Sequence, residues 1–215
     1  MAESLTEVEV RILGSLVEKQ LTTPEYYPLT LNALTAACNQ KSNREPVVAY
    51  DETTLLAAID SLRDKNLVYL YYGSSSRTVK YKHMLPSVYD LDEPATAIVA
   101  VLFLRGQQTI GELRERTGRL YEFSGLAEVQ ETLDALSRRD EPLIIKLERQ
   151  PGQKEARYAH LLSGPVEALE ATKSAATVAV PQSGRIETLE SEVSRLRSEM
   201  VELKATFEEF RKQFE

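Results

Sequence analysis

The chain has 215 residues, 42% hydrophobic and 27% charged, the composition of a folded protein rather than a disordered one. Its net charge of −7 is spread as −2, −2 and −3 over residues 1–90, 91–165 and 166–215, which argues against binding dominated by a phosphate backbone. No apolar run approaches the roughly 18 residues of a membrane span, and the single cysteine, Cys38, excludes an intramolecular disulfide or a cysteine-rich metal cage.

The first helix opens on a capping box, Thr6 with Glu9, and a staple pair, Leu5 with Val10. Leu5, Val8, Ile12, Leu13, Leu16 and Val17 carry helical spacing to about Gln20, and Thr22-Thr23-Pro24 ends it. A second helix runs from Thr30 to about Cys38. A polar loop follows, with Asn39, Gln40, Lys41, Ser42, Asn43 and Arg44 in succession, and Asp51 then caps a third helix whose buried face carries Leu55, Ile59 and Leu62. Two β-rich runs, 67–72 and 78–84, predict a hairpin around Gly73–Arg77.

The same order then recurs. An apolar helix covers 95–104. A second capping box, Thr109 with Glu112, opens a short helix to about Thr117, and 125–139 forms a third with Leu126, Val129, Leu133 and Leu136 on one face. Runs 143–149 and 155–161 predict a second hairpin around Pro151-Gly152-Gln153. The hairpins end alike, KYKHML at 80–85 and RYAHLL at 157–162, and place the only two histidines, His83 and His160, equivalently. The recurrence points to an internal duplication. Three helices followed by a hairpin is the order of a winged helix. The expected fold class is α+β, mainly helical: winged-helix domains at 1–90 and 91–165, a linker at 166–184 and a coiled-coil helix at 185–215.

The tail carries a regular pattern. Ile186, Leu189, Val193, Leu196, Met200, Leu203, Phe207, Phe210 and Phe214 alternate spacings of 3 and 4, an unbroken heptad seam. Ile186 and Val193 at a, with Leu at d before Phe210, favour a parallel dimer, and Arg185–Glu190, Glu192–Arg197 and Glu199–Lys204 supply opposite charges across it. The alternative is a single helix folding back on the chain's own domains.

In the 39–44 loop, Asn39, Gln40, Lys41, Asn43 and Arg44 are candidate contacts to an acidic partner or to phosphates, and Tyr26 and Tyr27, in a segment expected to be exposed, join them because tyrosine favours interfaces. The same side chains could simply make local turns. Arg77, Lys80, Lys82, Lys146, Arg149, Lys154 and Arg157 are candidate phosphate contacts, but lysine on an edge strand also guards against aggregation. The third helices, with Asp51 and Glu52 at one start and Glu128, Glu131 and Asp134 in the other, are poorly suited to entering a DNA groove. Eight of the ten tyrosines lie in the first half. Metal-ligand spacing, a P-loop, a dinucleotide fingerprint and a nucleophile elbow are all lacking, so an enzyme is the least supported class and no cofactor is expected.

The stretch VRILGSLVEKQLTTPEYYPLTLNALTAACNQKSNREPV, followed by YDETTLLAAIDSLRDKNLV, resembles the YceH-like family of uncharacterised bacterial proteins, most specifically at Ala37–Pro46. The resemblance spans roughly 5–163. It implies two tandem winged-helix domains and no particular activity. It also strengthens the case for a binding role of the 39–44 loop, since loops carry function.

Taken together, the sequence predicts a non-enzymatic interaction protein whose winged helices bind a protein partner and whose tail makes a homodimer. The alternative is a DNA-binding protein or transcription regulator. The acidic opening MAESLTEVEV lacks an apolar signal core, so a cytoplasmic location without membrane attachment is expected.

Overall fold

The computed structural model describes residues 4–72, 78–149 and 155–164. The chain divides into two compact units, Met1–Val166 and Glu167–Glu215, and every described residue belongs to the first. The expected linker and heptad helix, with Arg77 and Lys154, lie outside the described residues.

The described residues form a mixed α+β structure. Helix α1, Glu7–Thr22, begins with both halves of its capping box: Glu9 N–H donates to Thr6 Oγ1 and Thr6 N–H to Glu9 Oε2. The same Glu9 carboxylate, itself buried, accepts from Lys65 Nζ at 2.7 Å, which ties the start of α1 to the end of α3. A short 3-10 turn, Pro24–Tyr26, leads to β1, Leu29–Thr30. Helix α2, Leu31–Cys38, is capped by Thr30, and α3, Glu52–Asp64, by Asp51. Strands β2, Val68–Tyr72, and β3, Val79–His83, pair antiparallel, with β1 on the other side of β3.

Helix α4, Leu85–Tyr89, was not expected; it ends at Asp90, which adopts a left-handed conformation with φ 49°. Next come α5, Glu93–Arg105, α6, Ile110–Thr117, and α7, Leu126–Ser137. Strands β4, Ile144–Lys146, and β5, Tyr158–His160, close the described order. They are shorter than the predicted runs, although Leu147 N–H to Arg157 O and Leu161 N–H to Leu143 O prolong the ladder by one bond at each end. The free side of β5 pairs with Gln108 just ahead of α6, much as β1 pairs with β3 just ahead of α2.

One continuous core joins the two halves. Its centre is α5, buried on all sides from Ala95 to Leu104 and packed against α1, α6, α7 and β5. A helix without a polar face must be enclosed, which explains why ATAIVAVLFL has no amphipathic period. The two halves approach closely at Gly14 of α1. A Cβ there would lie 2.9 Å from Leu104 Cγ and 3.0 Å from Phe103 Cβ. Leu126 departs from expectation: as the first residue of α7, preceded only by Gly125, it is 48% exposed, and Val129, Leu133 and Leu136 form the buried face without it.

Candidate functional site

The polar loop after α2 is built inward. Asn39 caps α2 and clamps the far end of the loop, donating from Nδ2 to Tyr50 O and accepting from Tyr50 N–H, both at 2.8 Å. Arg44 is buried, its side chain fully shielded from solvent. Its Nη2 donates to Glu18 Oε2 at 2.6 Å, to Ala37 O at 2.9 Å and to Gln40 Oε1 at 3.1 Å. Its Nη1 donates to Glu18 Oε1 at 3.1 Å and to Asn43 O at 3.0 Å, and Nε reaches Ala37 O at 3.2 Å. Burial would raise the Glu18 carboxyl, but the hydrogen bonds and charge of Arg44, with Lys19, outweigh it and hold that carboxyl below the usual range. Expected as a partner contact, Arg44 is instead the internal anchor of the loop.

The rest of the loop fastens to the second half. Asn43, with φ 58°, accepts from Arg105 Nη2. Glu45 N–H donates to Leu104 O at 2.8 Å. On the other side, the buried Arg11 of α1 donates to Pro46 O at 2.6 Å. Of the predicted contacts within the loop itself only Lys41 and Asn43 are exposed, with Asn39 and Gln40 half-buried.

The two tyrosines ahead of β1 separate. Tyr26 is 71% exposed. Tyr27 turns inward, its hydroxyl accepting from His83 N–H at 2.8 Å and its ring tilted against the His83 imidazole. Burial raises the Tyr27 phenol, so its hydroxyl stays protonated. His83 is buried, its Nδ1 accepts from Leu85 N–H at 3.3 Å, and burial with the charge of Lys82 lowers its pKa to about 4. His160 lies edge-on to Phe103, with ring centroids 4.9 Å apart.

The predicted basic residues also divide. Lys82 and Lys146 are exposed, Lys146 lying 6.0 Å from the centre of the Tyr158 ring. Lys80 is half-buried and Arg149 exposed. Arg157 is drawn inward, to Gln107 O at 2.9 Å and Glu112 Oε2 at 3.0 Å.

The most open aromatic surface is one the sequence did not single out. Strand β2 is the edge of the β1-β3-β2 sheet, and Tyr69, Tyr71 and Tyr72 on it are 50%, 48% and 65% exposed. Cross-strand partners place Lys82 opposite Tyr69 and Lys80 opposite Tyr71, while Val68, Tyr81 and His83 face the core. The outer face is therefore a checkerboard of two tyrosines and two lysines. The signal was in the sequence: alternation in VYLYY puts Tyr69 and Tyr71 on one face.

Cys38 is buried, its Sγ lies 3.9 Å from Arg11 O, and burial pushes its thiol up to about 11, so the reactive thiolate is scarce. Among the described residues, no group of three or more His, Cys, Asp or Glu is placed to hold a metal ion, and no helix is long and apolar enough to cross a membrane.

Residues 5–153 match the family described as "Protein of unknown function, DUF480". The chain is 50% identical to a UPF0502 protein of Opitutus terrae, over 90% of this chain and 83% of that one. It is 49% identical to a UPF0502 protein of Geotalea uraniireducens over the whole of both chains, and 47% identical to one from Vibrio atlanticus over 95% of this chain and 97% of the other.

Proposed function

The chain belongs to the DUF480 family of proteins of unknown function, and we propose that it is a non-enzymatic interaction protein that binds a protein partner on its tyrosine-bearing edge strand. In this reading each half is a winged helix, with β2–β3 and β4–β5 as wings. The heptad tail pairs two copies in parallel and multiplies their affinity. The observation that carries the proposal is strand β2, an edge strand with Tyr69, Tyr71 and Tyr72 exposed. An open edge offers unpaired backbone groups to an extended segment, and tyrosine adds apolar area with a polar tip. Lys80 and Lys82 on the adjoining strand favour a segment bearing carboxylates.

Duplex DNA fits less well. The helix that would enter the major groove exposes Asp51, Glu52, Asp60 and Asp64, and Arg44 cannot reach a phosphate without breaking its bonds to Glu18. One observation does favour a single-stranded nucleic acid as a second reading. Tyrosine alternating with lysine on an open sheet can stack bases and hold phosphates.

Site-specific photocrosslinking in cells tests the first reading. A photoreactive residue at Tyr69 or Tyr71 should yield a protein adduct of discrete mass, and one at Glu131 on the exposed side of α7 should not. Adducts at neither tyrosine would sink it. Fluorescence anisotropy with mixed-sequence duplex and single-stranded DNA, from about 50 to 200 mM salt, separates the alternatives. Tight binding with a steep salt slope would move the assignment to nucleic acid. Light scattering tests the tail: the wild type should have the mass of a dimer and Leu196→Pro that of a monomer.

A further inference from the structure

A cleft of about 570 Å³ opens where the polar loop meets the second half of the core. Its walls come from α1, the loop, α5, α6 and the turn after α6. The size falls within the usual range for small-molecule sites, about 300–1,000 Å³. The charges are unusual for so acidic a protein. Lys19, Arg105, Arg116 and Arg119 line the cleft against only two carboxylates, Glu18 and Glu115.

Four cations against two carboxylates leave the lining with an excess of positive charge. Glu18 has both oxygens on Arg44, with Lys19 at 3.5 Å from one of them. Arg116 pairs with Glu112 at 3.3 Å, but Glu112 is shared with Arg157. Among the described residues Arg105 has no carboxylate at ion-pair distance, and its hydrogen bond is to the neutral Asn43. Burial is the main cause that lowers the Arg105 pKa, followed by the charges of Arg116 and Arg44, with Glu18 and Glu115 opposing.

We propose that this cleft binds a small, multiply charged phosphate compound, with Arg105 and Arg119 as its principal contacts. Guanidinium groups match phosphate oxygens in pairs, and those in a partly desolvated cleft hold them more strongly than in water. Gln40 and Ser42 supply neutral polar contacts from the loop. The lining has no aromatic side chain on which a nucleobase could stack, so recognition rests on the phosphate groups. Because the cleft's walls come from both halves, the ligand would brace the loop against α5 and α6 and stabilise the folded chain.

Calorimetry and thermal unfolding of the full chain with inorganic pyrophosphate, at fixed ionic strength, test this. The expected result is saturable binding with a rise in Tm, weakened about tenfold or more by Arg105→Gln and by Arg119→Gln. Arg119 is exposed, so its replacement keeps the test valid should Arg105→Gln fold poorly. Lys80→Gln with Lys82→Gln, on the tyrosine face, should bind as the wild type does. Glycerol phosphate distinguishes a single phosphate ester from paired phosphates and should bind more weakly. The absence of saturable binding, unchanged binding in Arg119→Gln, or equal binding of citrate would overturn the assignment.

Discussion

Arg44 and Glu18 meet as a two-pronged pair, Nη1 to Oε1 at 3.1 Å and Nη2 to Oε2 at 2.6 Å, with the arginine side chain wholly out of solvent. The pair joins α1 to the loop after α2. The guanidinium also satisfies the carbonyls of Ala37 and Asn43, so removing it strands a carboxylate and backbone acceptors together. Breaking one partner of such a buried pair costs about 3–5 kcal/mol.

Arg44→Met and Glu18→Gln should each lower unfolding free energy by an amount in that range, read by urea denaturation. The double variant should cost less than the two singles combined, because neither partner is left charged alone. Arg44→Lys should not restore the wild-type value. A single ammonium cannot serve Glu18 and both carbonyls at once.

Gly14→Ala should destabilise. Alanine normally gains about 1 kcal/mol over glycine inside a helix, but its Cβ would press on Leu104 at 2.9 Å and on Phe103 Cβ at 3.0 Å, and both residues are buried. Overpacking of this kind costs about 1–3 kcal/mol. Adding Leu104→Ala relieves the contact, so the double variant should lose less than the sum of the two. Simple additivity in denaturant midpoints would refute the wedge.

Stability should fall as the solution is acidified, partly through His83. Its pKa is lowered from 6.5 to about 4, so the unfolded chain takes up a proton that the native chain refuses. The contribution is complete above 6.5 and is lost as pH drops from there towards 4, to a limit of roughly 3 kcal/mol. Glu9 and Glu18, whose pKa values are also lowered, add to the loss below their ordinary range. His83→Gln keeps those two and removes the imidazole. Its stability should therefore change less with pH than the wild type's between about pH 4 and 6.5, as followed by urea unfolding at each pH.

Tyr69→Ser and Tyr71→Ser should leave stability within about 0.5 kcal/mol of wild type, as exposed positions generally do. They should nevertheless abolish any adduct formed by a crosslinker at Tyr72. Tyr27→Phe should do the reverse. It deletes the acceptor for His83 N–H and should lower stability by about 1 kcal/mol, with the edge strand's binding intact.

The helices were legible because their signals are local. Thr6 with Glu9, Thr109 with Glu112, and the caps Thr30 and Asp51 each lie within a turn of the groups they satisfy. Strand β1 was missed because two residues carry no alternation, and α4 because five residues carry no helical period. Arg44 was misplaced for a different reason. Arginine in a run of polar residues ordinarily faces water, and its partner Glu18 is 26 positions away. The cationic cleft was equally hidden, since Lys19, Arg105, Arg116 and Arg119 converge only once α1 and α5 pack.

The enclosure of α5 also bears on how the chain is made. Translation delivers α1, with Gly14 and its apolar neighbours, well before residues 93–105 emerge. At roughly 5–20 residues per second the delay lasts several seconds. Throughout that interval the surface destined for Leu104 stays uncovered, and Arg105, which bonds Asn43, has not been synthesised. A message truncated near codon 90 should therefore yield a product that aggregates rather than a smaller working protein.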